Sequence, residues 1–210
     1  MKRTLILFLL ALLAGCGPRY SSQEQQLLDA NGIDDIARAA LRPYAKNLRQ
    51  LKKPGAGGKV EDTPGLMIRI APDTASDTLV KLRQAMVNST SQVYVYGHFY
   101  GFADDLLVVV PTRDEQSYLD AAATQGTNGQ PSNAQVKDYY QDLCQQFQLE
   151  LVGAGGDWLR AKVLGPNPDW FALAKAAYTI NPDILNPQVN SIDALAANIE
   201  HNGAIYLFWR

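Results

Sequence analysis

Apolar positions recur along this chain in two rhythms, and the change of rhythm marks its elements. In "LLDANGIDDIARAALRPYAKNLRQL", Leu27, Leu28, Ile33, Ile36, Ala37 and Ala40 return about every 3.6 residues, which predicts helix. Gly32 interrupts that helix and Pro43 bounds it. "LMIRIAP" reads as a short strand ended by Pro72. "DTASDTLVKLRQAMVN" reads as a helix, with Asp73, Thr74 or Ser76 as cap and Leu79, Leu82, Arg83 and Met86 on one face. In "QVYVYGHFYG" the period falls to two, with Val93 and Val95 on one side and Tyr94 and Tyr96 on the other. "DDLLVVVP" is continuous in Leu and Val, which predicts a strand covered on both faces; Asp104 and Asp105 before it read as a solvated loop.

The second half alternates in the same way. "DEQSYLDAAATQG" predicts a short helix, and "NAQVKDYYQDLCQQFQ" an amphipathic one with Asn133 as N-cap. Leu149 to Gly153 and Trp158 to Leu164 predict a hairpin around glycines. "NPDWFALAKAAYTIN" places Trp170, Leu173, Ala174 and Ala177 on one helical face. "SIDALAANIEHNG" has Ser191 as N-cap and Gly203 as stop. "AIYLFWR" is a last strand, apolar enough to predict an internal place in the sheet. The order predicts an α/β (α+β) fold: a single mixed sheet with flanking helices, preceded by a signal peptide and a short helical arm. Residues 17 to 26 read as a tether. "KKPGAGGKVEDTPG", residues 52 to 65, reads as a Gly/Pro linker. The division is therefore 1–15 signal peptide, 16–65 tether, arm and linker, and 66–210 main domain.

The N-terminus carries an address. Lys2 and Arg3 precede an apolar run from Leu5 to Leu13, far short of the about 20 residues a membrane span needs but right for a secretory h-region. Leu13-Ala14-Gly15-Cys16 resembles the lipobox of bacterial lipoproteins. The resemblance implies cleavage between Gly15 and Cys16, acylation of Cys16, and anchoring in the membrane by lipid. Residue 17 is Gly rather than Asp, so it also implies the outer membrane, with the domain facing the periplasm. Loss of Lys2 and Arg3 with the leader moves the formal charge from −2 to −4. No basic stripe exists for nucleic acid, and none for anionic lipid. With Cys16 taken by lipid, Cys144 has no intrachain disulfide partner. Tyr140, Leu143, Cys144 and Phe147 share a helical face, which predicts a packed thiol.

Candidate chemistry is sparse. No Gly-x-Ser-x-Gly elbow, phosphate loop or paired metal-ligand spacing occurs, so no cofactor and no metal are expected. The stretch richest in aromatics makes Tyr94, Tyr96, His98 and Tyr100 a candidate binding surface, since Tyr supplies rigid contact area. Asn181-Pro182-Asp183 follows a helix; Asn181 there tolerates the left-handed conformation, and Asp183 is a turn residue or a binding carboxylate.

Several segments in order resemble the bacterial family known as domain of unknown function 4253. They are Thr124 and Asn128 in a loop, Gly156 and Asp157 in the hairpin, Pro182-Asp183-Ile184, and Phe208-Trp209 near the terminus. Asn181 stands where the family pattern has Cys, and Arg210 where it has Asp. The resemblance implies a fold and no activity. The expected function is a lipid-anchored protein-binding module of the envelope, in concrete form an immunity protein against an antibacterial toxin. The alternative is an envelope enzyme of hydrolase type using His98 or Cys144, which requires a cleft where one of them meets a carboxylate.

Overall fold

A computed structural model describes residues 19–55 and 59–209. The expected signal peptide over residues 1–15, and the expected cleavage and lipidation at Gly15 and Cys16, lie outside them. Two short helices open the described chain, α1 (Ser22–Ala30) and α2 (Asp35–Leu41), followed by a 3-10 turn (Arg42–Asn47). Then come β1 (Leu48–Pro54), β2 (Val60–Ile70), α3 (Ala75–Ala85), β3 (Gln92–Gly97), β4 (Asp105–Val110), α4 (Glu115–Ala122) and α5 (Asn133–Gln146). The chain closes with β5 (Leu149–Ala154), β6 (Trp158–Val163), α6 (Trp170–Ile180), a 3-10 turn (Pro182–Ile184), α7 (Ile192–Asn202) and β7 (Ala204–Phe208). The strands form one sheet in the order β1-β2-β4-β3-β5-β6-β7. Every neighbouring pair is antiparallel except β3 and β5, which run parallel. This is the mixed α/β sheet with flanking helices that the patterning predicts.

Each face of the sheet carries its own core. Leu28, Ile33, Ala37 and Leu41 from α1 and α2, with Leu79, Leu82 and Met86 from the α3 region, bury Leu66, Ile68, Val93, Val95, Leu107 and Val109. On the other face Tyr118, Val136, Tyr140, Leu143, Leu173 and Ile199 from α4 to α7 bury Tyr94, Val108, Val110, Leu151, Leu159, Ala161, Ile205 and Leu207. β4 is therefore covered twice, as its unbroken apolar run requires. The alternating strands β6 and β7 are covered once. Among the described residues α1, α2 and α3 lie on the first face, and beyond β3 the Arg83 side chain of α3 reaches Glu150 and Leu151 O on β5. The same face of β5, β6 and β7 is left open.

Five expectations are corrected. Residues 52–65 are not a linker: Lys52 pairs with Asp62 and Pro54 with Val60 across a hairpin. Buried Leu51 anchors it, and the Gln50 amide donates to Thr63 O at 2.7 Å, so tertiary packing overrides the Gly/Pro composition. Residues 17–26 are not all tether, because α1 begins at Ser22, behind a capping box between Ser21 and Glu24; the arm is a layer of the fold. β7 is an edge strand, not an internal one. Its edge is blunted locally, since the Asn181 side-chain amide donates to Phe208 O at 2.6 Å. Asn181 accordingly sits at φ −138°, ψ 87° rather than in the left-handed region. At α5 the cap is Ser132, not Asn133, with Gln135 closing a capping box.

Candidate functional site

The seam between β3 and β5 shapes the site. The two strands share a single Cα pair, Val95 with Gly153. Each carries an irregularity beside it, between Val95 and Gly97 in β3 and between Leu151 and Gly153 in β5. A Cβ on Gly153 would lie 2.2 Å from Val95 O, so only glycine lets the strands approach here. Side chains close what the backbone leaves open. The buried Tyr118 hydroxyl donates to Ala154 O at 2.7 Å, lies 3.1 Å from Val95 O and accepts from Ala154 N–H at 3.3 Å. Arg83 donates to Val93 O at 3.1 Å and to Leu151 O at 2.7 Å, and pairs with Glu150 at 2.5 Å. Its place on the apolar face of α3 is thus explained.

A cavity of about 430 Å³ opens at this seam, and its lining runs from the uncovered face to Ile184, Leu195, Asn198 and Asn202 of the 3-10 turn and α7. The seam holds the parallel contact of the sheet, and the cavity lies beside it. Val95, Val152 and Gly153 contribute to its lining. One wall is an aromatic platform. Antiparallel register sets Arg160 opposite Tyr206 and Trp158 opposite Phe208. Trp158 and Tyr206 stack at 5.7 Å between centroids, and Tyr206 lies 6.1 Å from Phe208. Burial, with Tyr100 and Asp157 nearby, pushes the Tyr206 hydroxyl up to about 12.

The opposite wall is His98, Tyr100 and the start of α3 at Ala75 and Ser76. Asp105 organises it. Its carboxylate is fully buried; Oδ1 accepts from Phe99 N–H at 3.1 Å and from His98 Nδ1 at 2.9 Å. Oδ2 accepts from Ala75 N–H at 3.1 Å, capping α3 where the helix dipole favours an anion. Burial alone would raise this carboxyl, but the bonds from Phe99, His98 and Ala75 outweigh it and hold the group below its usual range. Because Asp105 only accepts, Nδ1 of His98 carries the proton, and a neutral ring leaves the Nε2 lone pair free. Nε2 lies 3.9 Å from Asp73 Oδ1. The His98 ring meets Tyr100 edge-on at 4.5 Å.

Of the five surface residues expected from sequence, His98 and Tyr100 line the cavity. Tyr94 is a correction: it is 1 % exposed and stacks on Tyr118 at 4.0 Å, inside the core. Tyr96 is half-buried against the same core, because it lies on the helix-covered face of β3. Asp183 is exposed in its 3-10 turn, and its neighbour Ile184, not Asp183, reaches the cavity. Asp105 is a second correction, a buried hub rather than a solvated residue; Asp104 is the exposed one of the pair, 3.9 Å from Arg69. Trp158, Arg160, Tyr206 and Phe208 were missed. The alternation of β6 and β7 sets them on the faces opposite Leu159 and Leu207, and that signal was present in the sequence.

Cys144 is a free thiol on α5, half-buried against the α4–α7 core. Burial pushes its thiol above the usual cysteine range, only partly offset by the Tyr140 hydroxyl. It does not line the cavity. No cluster of His, Cys, Asp and Glu able to hold a metal occurs among the described residues, and no helix there is long and apolar enough to cross a membrane.

The fold and cavity define a mixed α/β protein with an aromatic cleft beside the β3–β5 seam. The family model of the Domain of unknown function (DUF4253) matches residues 106–210, half of the chain, and the chain belongs to that family. No curated protein and no solved structure matches it. The matched half supplies the aromatic platform, whereas His98, Tyr100 and Asp105 precede it. The segments that carry the family pattern meet around the end of β7. Gln125 N–H donates to Gly156 O at 2.8 Å and Trp209 N–H to Asp157 O at 2.9 Å. The Thr127 hydroxyl donates to Trp209 O at 3.0 Å, and Asn181 to Phe208 O as described. They join three loops to the last strand.

Proposed function

We propose that the chain is a lipid-anchored lipoprotein of the bacterial envelope, held by acyl groups on Cys16 at the outer membrane and facing the periplasm, whose domain binds a protein partner. The concrete form of the proposal is an immunity protein that occupies an antibacterial toxin. One observation carries the binding reading: the β3–β4 loop presents Phe99, Tyr100 and Phe102 at 41 %, 74 % and 94 % exposure, with Tyr100 on the cleft wall. Aromatic side chains this exposed and this close together mark interaction surfaces. The lipid anchor rests on the lipobox resemblance alone. The test places a photo-crosslinking residue at Tyr100 in the full chain in cells and labels the same cells with palmitate. A single cross-linked protein partner and label lost in Cys16→Ser support the proposal. Cross-linking to nothing, or label retained in the variant, sinks the corresponding half.

A second reading, an envelope enzyme, is favoured by the His98–Asp105 pair at 2.9 Å on the cleft wall. Asp105 fixes the tautomer and leaves Nε2 as a general base. An activity found against envelope substrates that survives His98→Asn would refute it. Cys144 plays no part, because its thiol is packed away from the cleft and kept protonated.

A further inference from the structure

The cleft beneath the aromatic loop has chemistry of its own. Arg160 projects from β6 onto the open face between Trp158 and Lys162, opposite Tyr206. It forms no hydrogen bond or ion pair with any described residue. Other cationic side chains around the seam are committed, as Arg83 is to Glu150 and the β-strand carbonyls. An arginine left unpaired beside a stacked aromatic pair is a ready fork for an anion.

The size and charge of the site narrow the ligand. A cavity of about 430 Å³ falls in the range of small-molecule sites, about 300–1,000 Å³. Its platform of Trp158, Tyr206 and Phe208 offers flat faces on which a ring stacks. Carboxylates stand beside two polar groups of the lining: Asp73 at His98 Nε2, and Asp157 near the Tyr206 hydroxyl. A monoanion matches one free guanidinium; a dianionic phosphate would meet those carboxylates. The rim is also preformed, since the Asn186 side chain is spent on Gln188 N–H and Val189 N–H at 2.9 and 3.0 Å.

We infer that the cleft binds a small ring-bearing carboxylate, its ring stacked on the Trp158–Tyr206 platform and its carboxylate forked by Arg160. This site goes beyond the protein-partner reading and does not depend on it: the partner surface is the outward loop, and the ligand lies on the sheet below.

The test is calorimetric titration of the purified full chain with 2-naphthoate and with its neutral isostere 2-naphthamide. The expected result is saturable one-to-one binding of naphthoate, about tenfold or more tighter than the amide, the scale of one charge-assisted fork. Arg160→Gln abolishes the preference for naphthoate over naphthamide, and the melting temperature stays at the wild-type value. Tyr206→Ala weakens both ligands. Equal affinity for acid and amide, a preference that survives in Arg160→Gln, or no saturable heat at millimolar naphthoate would each overturn the inference. Because Arg160 is exposed and unpaired, its replacement does not threaten folding, so a lost preference reports on binding.

Discussion

Asp34 is the residue whose removal tests the packing of the N-terminal arm most directly. Its Oδ1 accepts from Ile36 N–H at 3.0 Å and Ala37 N–H at 3.1 Å, capping α2. Its Oδ2 accepts from the Ser89 hydroxyl at 2.5 Å, from Thr90 N–H and Oγ1 at 3.1 Å each, and from Ser91 N–H at 3.1 Å and Oγ at 2.9 Å. One carboxylate thus ties the first turn of α2 to the loop that leads into β3. Asp34→Ala removes an N-cap, about 1 kcal/mol. It also strands the hydroxyl of Ser91, which is fully buried, at about 1–3 kcal/mol, while the Ser91 N–H keeps Ser89 Oγ at 2.9 Å. Thr90 is exposed and recovers its bonds from water. The expected loss is therefore about 2–4 kcal/mol, or a melting temperature lower by on the order of 10 °C. Urea unfolding of wild type and variant at pH 7 measures it. Burial alone would raise the Asp34 carboxyl, but the bonds from Ser89, Ala37 and Ser91 hold it well below its ordinary value. A depressed folded-state value means stability that is fully present above the unfolded value of about 4 and lost as pH falls below it. The gap between wild type and Asp34→Ala should accordingly narrow between pH 4 and the acid limit of folding. A variant within about 0.5 kcal/mol of wild type at pH 7, or a gap that widens in acid, would refute the argument.

Three further outcomes follow from the seam and the core. Tyr118→Phe keeps the ring stack on Tyr94 but orphans Ala154 N–H and O; a loss of about 1–3 kcal/mol and faster amide exchange at Ala154 are expected, and an unchanged melt would contradict the bridging role. Gly153→Ala places a Cβ 2.2 Å from Val95 O, so β3 and β5 must part, at about 2 kcal/mol or more; a calorimetric scan like that of wild type would show that the seam is looser than described. Cys144, its thiol raised by burial, should react with a disulfide reagent at pH 7.5 several-fold more slowly in the native chain than in urea, read at the Cys144 peptide by mass spectrometry; equal rates would mean that the thiol is neither packed nor perturbed.

Much of the fold was legible because burial imposes its period on the sequence. β4 runs Leu106 to Val110 without a polar break and is covered on both faces. β6 alternates because only Leu159, Ala161 and Val163 face helices. What period cannot encode is which strands become neighbours. The parallel contact of β3 with β5 sets Trp158 and Tyr206 in one cavity with His98, and no local pattern states that pairing. The same limit explains Asp105. Two adjacent aspartates before a strand look solvated, and only the return of α3's first turn over β4 shows that one of them is a buried cap.

The misreading of β7 has a different cause and bears on function. Ile205, Leu207 and Trp209 are apolar because they face the α4–α7 core, not because the strand is flanked on both sides. On its uncovered face Tyr206, at 46 % exposure, stacks across the strands on Trp158, and Phe208 is half-buried beside it. A solvent-facing position beside Arg160 is satisfied by Thr, Lys or Glu, and an aromatic pair there stays wet unless something covers it. Apolar character on the uncovered face of a singly covered strand is therefore surplus to folding. In this chain the surplus is concentrated beside the β3–β5 seam and where the one uncommitted guanidinium of the face stands. Stability selects Leu207; the carboxylate site inferred above uses Tyr206 and Arg160 together.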